Sequence, residues 1–470
     1  MTTLMPHQVQ HIQYNMSHTR SADWSECGVG KSLIALTKFQ ELCKLGLARR
    51  LLIACPLSVM TSWTLEIEKH TNLSYCKLVG SMEQKVKMIT ANDKDVYIIT
   101  YDSIPFREGT KPFVFMALRE LGFDMLVGDE ITHIKNIRAR RTRALIALCD
   151  EIEHVLFLSA TPIPRKVEDI FTIYLALDYN VFGEPTKAIK YYMHNVCYKY
   201  PNWKLLPGRA DELQRKLYSV AIRTTKAECL TLPKKIWLPR DCQLTDEQRR
   251  IYQEIATDLS ADLGATRVTV KNVAGKMAKL SQIADGFLYT PEGTYSICER
   301  PHKAEVMAGI LQEEIPQDEK VLIYAHWWED IEIIEKTLVR VGVPYVTLHG
   351  QMPQKSRDAV IHTFTNYPAS RCRALVSQTE VGGFGLNLPQ ASNIIYFSLS
   401  FSLTNFIQSQ DRIHRIGQDE PCRYFVLLAT NTVDLYIYKK ILQGVELSSA
   451  LLDEKEITEL REAIYESLKQ

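Results

Sequence analysis

The sequence predicts an α/β protein with two doubly wound parallel-sheet lobes and a mostly helical insertion between them. Three observations carry this. Short apolar runs alternate with amphipathic or charged stretches through about residue 160, and such runs read as strands buried on both faces. The same alternation returns from about residue 302. Between the two, apolar runs thin out and Tyr, Lys and helix-period patterns take over. Strands alternating with helices build βαβ units and hence a parallel sheet.

In chain order, the first lobe has strands at 51–55 (LLIAC), 96–100 (VYIIT), 125–127 (MLV) and 155–158 (VLFL), with helices over 33–44 and 140–149. Residues 231–239 (TLPKKIWLP), with two prolines, read as an extended connector. Helices are expected over 245–258 and 273–283. The second lobe has strands at 321–325 (VLIYA), 345–348 (YVTL), 374–377 (ALVS), 393–397 (NIIYF) and 424–428 (YFVLL), and helices over 331–341 and 355–364. The end, 451–470, reads as a charged amphipathic helix. The expected division is therefore 1–180 for lobe one, 181–300 for the insertion and linker, 301–450 for lobe two, and 451–470 for the last helix.

Composition narrows the function. A chain of 470 residues, 46% hydrophobic and 24% charged, is an ordinary globular protein rather than a disordered or low-complexity one. With 56 Lys+Arg against 55 Asp+Glu, a global basic field is excluded, so any nucleic-acid surface must be local. The 11 cysteines are scattered without a CxxC spacing, as suits free thiols in a reducing compartment. The N-terminal residues lack a signal-peptide pattern, and no apolar run approaches the roughly 18 residues needed to cross a bilayer. No membrane partner is expected.

Four motifs carry chemistry. In 25–32 (SECGVGKS), Gly28 and Gly30, flanking Val29, let backbone N–H groups approach phosphate oxygens. Lys31 then reaches the terminal phosphates and the Ser32 hydroxyl holds Mg²⁺. The strict pattern has Gly where Ser25 stands, and a Gly-rich turn before a helix is the bland alternative. In 123–130 (FDMLVGDE) an apolar strand ends in Asp129 and Glu130. One acid there can hold Mg²⁺ and the next can polarise the attacking water; the alternative is an acidic turn at a strand end. Together the two motifs imply a nucleoside triphosphate-hydrolysing site. In 158–162 (LSATP), Ser159 and Thr161 either bond the acidic pair and relay the nucleotide state or form a polar capping turn. Finally, Arg412 and Arg415 in 408–418 (QSQDRIHRIGQ) are three apart, which on a helix places both on one face. That suits arginine fingers on a triphosphate; a lone RxxR is more often a solvated face.

These motifs resemble those of helicase superfamily 2 ATPases, and among them the Swi/Snf-type DNA translocases, over nearly the whole chain. Residues 4–8 (LMPHQ) resemble the adenine-reading element, with Gln8 as its glutamine, and 26–32 resemble motif I. Residues 56–66 (PLSVMTSWTLE), 99–102 (ITYD) and Asp129-Glu130 with 133–136 (HIKN) are similar to the elements that follow. Leu244, Thr245, Gln248, Tyr252 and 280–283 (LSQI) match the segment leading into the second lobe, and 412–418 (RIHRIGQ) marks the branch. Ile131-Thr132, Ala160, Ser398 and Phe401 depart from the commoner residues. They point to a compact bacterial or viral relative rather than a chromatin remodeller.

The resemblance implies RecA-like lobes, ATP and Mg²⁺ as cofactors, duplex DNA as partner, no other small-molecule substrate, and a monomer. It adds Gly383 and Gly385 to the nucleotide site and gives Gln408, with Ser159 and Thr161, a coupling role. The expected setting is bacterial or virus-infected cytoplasm, or the nucleus in a eukaryote. Arg138, Arg140, Arg141 and Arg143, after Lys135, form the densest basic cluster, readable as a phosphate contact or a solvated helix face. The expected function is a DNA-stimulated translocating ATPase. A strand-separating DNA or RNA helicase is the alternative, because 159–161 reads Ser-Ala-Thr as in unwinding relatives. A nucleotide-gated module that remodels protein–DNA complexes is the third reading, against which intact Glu130, Arg412 and Arg415 argue.

Overall fold

A computed structural model describes residues 3–91, 93–104, 113–160, 166–196, 203–258, 260–262, 267–269, 273–379 and 388–443. The chain forms two compact units, Met1–Thr231 and Leu232–Gln470.

The first unit is built on seven strands: β1 (Arg20–Asp23), β2 (Leu51–Cys55), β3 (Tyr75–Lys77), β4 (Val96–Thr100), β5 (Met125–Asp129), β6 (His154–Leu158) and β7 (Ala221–Ile222). They lie in the order β3-β4-β2-β5-β6-β1-β7, and every neighbouring pair is parallel. The apolar runs are continuous because both faces are covered. Leu51, Ile53, Met125, Val127, Leu156 and Leu158 pack to one face, while Leu52, Leu126, Val155 and Phe157 pack to the other. That is the period-two alternation of a strand, buried twice over. The sequence reading missed β1 because two of its four residues are charged. Its polar groups are satisfied by distant partners: Ser21 Oγ donates to Asn15 Oδ1 at 2.8 Å, and Arg20 donates to the Leu177 and Ile152 carbonyls at 3.0 and 2.8 Å.

The second unit has six strands: β8 (Lys235–Cys242), β9 (Lys320–Ala325), β10 (Tyr345–Leu348), β11 (Ala374–Gln378), β12 (Ala391–Tyr396) and β13 (Cys422–Ala429). Their order is β8-β13-β12-β9-β11-β10, again parallel throughout. Both units are thus doubly wound parallel sheets, as the sequence predicts.

The stretch 181–300, read as a helical insertion and linker, contributes to both units. Its strand β7 joins the first sheet. The expected connector at 231–239 runs into β8 on the edge of the second sheet, where Pro239 is tolerated because an edge strand has a free side. Helices Asp246–Asp258 and Val273–Asp285 place Ile251, Tyr252, Ile255, Met277, Leu280 and Ile283 in the second unit's core. A two-residue strand and a half-exposed edge strand carry too little apolar pattern to be read from sequence. The expected helix at 451–470 lies outside the described residues. All ten cysteines among the described residues are free thiols. Among those residues no helix is long and apolar enough to cross a membrane.

Candidate active site

The site in the first unit starts at β1, whose chain turns through a loop into the helix Lys31–Lys44. Gly28 and Gly30 have φ of 83° and 92°, left-handed values that favour glycine. A Cβ on Gly30 would also lie 2.3 Å from Gln8 Nε2. Gln8 stands there because the helix Pro6–Met16 buries His7, Gln8, His11, Ile12 and Asn15, a polar stripe at helical spacing. The Val29 carbonyl accepts from His7 Nε2 at 2.9 Å and from Gln8 Nε2 at 3.3 Å, while Gln8 Oε1 accepts from Met5 N. The segment expected to read adenine and the glycine loop are thereby tied together. Lys31 Nζ donates to the carbonyls of Ser25 and Glu26 at 2.6 and 3.0 Å, and Ser32 follows in the first helical turn. Ser25 in place of glycine is buried, and its hydroxyl accepts from Thr224 N at 2.9 Å.

The acidic pair ends β5. Register places Leu158 of β6 opposite both Asp129 and Asp23, so the carboxyl ends of β5, β6 and β1 lie side by side, where parallel sheets bind ligands. Ser159 follows β6 with its N–H on the Asp23 carbonyl at 3.2 Å. Asp129 Oδ2 accepts from Trp63 Nε1 at 2.9 Å and Oδ1 accepts from Glu130 N at 3.0 Å. Burial raises the Asp129 pKa above the usual carboxylate range, against the pull of Trp63, Lys31 and the Glu130 N–H. Glu130 is left-handed, φ 49° and ψ 51°, a conformation that costs a non-glycine residue energy and is found at functional sites. The next turn is locked from below: Tyr101 donates its hydroxyl to the Asp129 carbonyl at 2.7 Å and stacks on His133. Ser32 and Asp129 carry hard oxygen donors of the kind that would hold Mg²⁺.

A cleft of about 350 Å³ is lined by Pro56, Leu57, Thr100, Tyr101, Asp102 and His133 among others, drawn from three of the segments that the resemblance singled out. Of the basic cluster, Arg141 is committed to Asp102 at 2.9 Å, whereas Arg138, Arg140 and Arg143 are exposed.

In the second unit the arginine pair is not on a helix. The helix Leu403–Gln410 stops at Asp411, and Arg412 and Arg415 lie in the turns that follow. Arg412 is buried, with Nε on the Gln408 carbonyl at 3.0 Å and its own carbonyl accepting from Leu388 N. The turns are pinned by Gln418, whose Nε2 donates to the Ala391 carbonyl at 2.8 Å, and by His414 Nε2 on the Pro233 carbonyl at 2.9 Å. Gln408 is buried at the end of the helix. Gln8, Gly28, Val29, Gly30, Lys31, Ser32, Asp129, Glu130 and Ser159 thus share the first unit, while Gln408, Arg412 and Arg415 share the second. Thr161, Gly383 and Gly385 lie outside the described residues.

The SNF2-related domain family matches residues 7–302, and the helicase conserved C-terminal domain matches 302–417. The chain belongs to the SNF2-related family. This makes the SNF2-related chain an enzyme of helicase superfamily 2. It is similar to the DNA repair and recombination protein RDH54 of Saccharomyces cerevisiae (strain RM11-1a), 24% identical over 92% of this chain and 51% of the relative. It is also similar to chromodomain-helicase-DNA-binding protein 1-like of Mus musculus, 23% identical over 86% and 44%. The chain spans about half the length of the curated relatives it matches. Among solved structures, it is similar to the Sulfolobus solfataricus SWI2/SNF2 ATPase core in complex with dsDNA, 23% identical over 98% of this chain and 95% of that one, with a TM-score of 0.45.

Sequence reasoning about the SNF2-related chain missed His11, Asp23 and Thr224. The stripe of His7, Gln8, His11 and Asn15 on one helix was the available signal for the first; the partner of Ser25 had none.

Proposed function

We propose that the chain hydrolyses ATP with Mg²⁺ and uses the cycle to translocate on duplex DNA. The observation that carries the ATPase reading is the register that sets the glycine loop with Lys31 beside the Asp129-Glu130 strand end. Gln8 reads the base, the loop amides and Lys31 hold the phosphates, and Ser32 and Asp129 hold the cation, which supplies charge neutralisation when bound. Glu130 orients the attacking water. Arg412 and Arg415, with Gly383 and Gly385, come from the second unit and complete the site when ATP draws the units together, with Ser159, Thr161 and Gln408 relaying the change. DNA as the partner is supported by the similarity to a DNA repair and recombination protein and to a chromodomain-helicase-DNA-binding protein. Exposed Arg138, Arg140 and Arg143 supply local positive charge for phosphates. Ser159-Ala160 favours a second reading, strand separation. ATP turnover with duplex DNA, single strands and RNA tests both: strongest stimulation by duplex without strand displacement supports translocation, and displacement of a labelled strand supports the second reading.

A further inference from the structure

Behind the nucleotide loop lies a buried charge that the proposed reaction does not use. Asp23, the last residue of β1, and His11 are both 0% exposed. His11 Nδ1 donates to Asp23 Oδ2 at 2.8 Å, and Asp23 Oδ1 accepts from Ser25 N at 3.0 Å. On its other side the ring's Nε2 is hydrogen-bonded with the Thr224 hydroxyl at 2.7 Å. Burial pushes the Asp23 pKa up, but the hydrogen bond and charge of His11, with Lys31 and Ser25, together outweigh it and hold the carboxyl below its ordinary value.

Thr224 closes the circuit through its backbone. Its N–H donates to Ser25 Oγ at 2.9 Å and its carbonyl accepts from Glu26 N at 3.2 Å. On either side, Trp24 N donates to the Ile222 carbonyl and Lys226 N to the Glu26 carboxylate. Residues 222–226 therefore run beside 24–26 as a continuation of the β1–β7 ladder. The carbonyls of Ser25 and Glu26, set by this contact, are the two on which Lys31 Nζ rests. The same segment precedes the boundary at Thr231, where the first unit ends. A merely stabilising cluster would have no reason to end on both the lysine's resting carbonyls and the strand that leads out of the unit.

We propose that Thr224, through the His11–Asp23 pair, is a positioning residue that couples the segment leading out of the first unit to the nucleotide loop. Tension along 222–226 shifts Ser25 and Glu26 and so frees or retains Lys31. The inference rests on the proposed nucleic-acid-stimulated ATPase. Removing the hydroxyl in Thr224→Val is expected to lower the ratio of duplex-stimulated to unstimulated kcat by about fivefold, the fold-change of one neutral hydrogen bond. The KM for ATP without nucleic acid is expected to stay within about twofold of wild type, since the bonds of Thr224 go to His11, Ser25 and Glu26. Thr224→Ser, which keeps the hydroxyl, is expected to restore the ratio. A role in folding alone would lower Tm in both variants and leave the ratio untouched. If Thr224→Val does not fold, His11→Gln is read in the same way. A wild-type ratio in a folded variant overturns the coupling, whereas wild-type protein indifferent to every nucleic acid overturns the proposed function instead.

Discussion

Lys31 and Glu130 divide the proposed labour, and substitution separates them. Lys31→Ala is expected to abolish hydrolysis and weaken ATP binding, while Glu130→Gln keeps binding and blocks turnover; steady-state turnover beside nucleotide titration distinguishes the two. Arg412→Ala is expected to cut stimulated kcat by more than about 100-fold while ATP binding to the first unit survives. Arg412 Nε also bonds the Gln408 carbonyl, so circular dichroism must accompany that measurement. Lys38 makes a different point. It is buried in the helix after the nucleotide loop, with Nζ on the His18 carbonyl at 3.0 Å, and burial lowers its pKa to about 7. Between pH 7 and the ordinary lysine range the unfolded chain binds the extra proton, so stability rises with pH there. Lys38→Met is expected to raise Tm by roughly 3 °C or more at pH 6.5, with a smaller gain at pH 9.5 by the same thermal melts.

At the scale of elements, the acidic strand end depends on what lies beneath it. A Cβ on Gly128 would meet Ile131 Cδ1 at 2.7 Å and Phe157 Cδ1 at 2.9 Å, both buried. Gly128→Ala is therefore expected to cost about 1–3 kcal/mol through overpacking and to lower turnover by shifting Asp129, measured by denaturant melts and ATPase rate together. In the second unit, Lys303 joins three helices. Its buried Nζ contacts Asp285 at 2.7 Å near the end of Val273–Asp285 and Asp434 at 2.6 Å in the first turn of Val433–Leu442. Lys303→Ala leaves both carboxylates without their cation and is expected to destabilise the second unit by about 3 kcal/mol or more, read from the same melts. Element identity was legible where a run was apolar on both faces, as in β2, β4, β5 and β6. It was not legible at β1, whose Arg20 is satisfied by carbonyls far along the chain and whose Asp23 is satisfied by His11 from another element. Nor was the end of the Leu403–Gln410 helix legible, because the RxxR spacing fits a helix face and a pair of turns equally.

For the whole molecule, the proposed site is divided between two units, so hydrolysis is expected to be weak alone and to rise strongly with duplex DNA. DNA affinity is expected to fall steeply with salt because the contacts would go to phosphates; titrations at two or more salt concentrations check the slope. A rate indifferent to nucleic acid would favour the nucleotide-gated module.

The sequence by itself determined the fold class, and it carries the glycine loop and the acidic pair from which the proposed chemistry is read. Those features are local: buried parallel strands need unbroken apolar runs, and left-handed turns at Gly28 and Gly30 favour glycine. Only the tertiary structure decided where 221–226 and 235–242 belong, what satisfies Ser25, and that His11 meets Asp23. The His11–Thr224 bond spans 213 positions. No spacing rule reaches that far, because such a contact exists only after the sheet has brought β1 and β7 together and a buried polar group has had to find its partner.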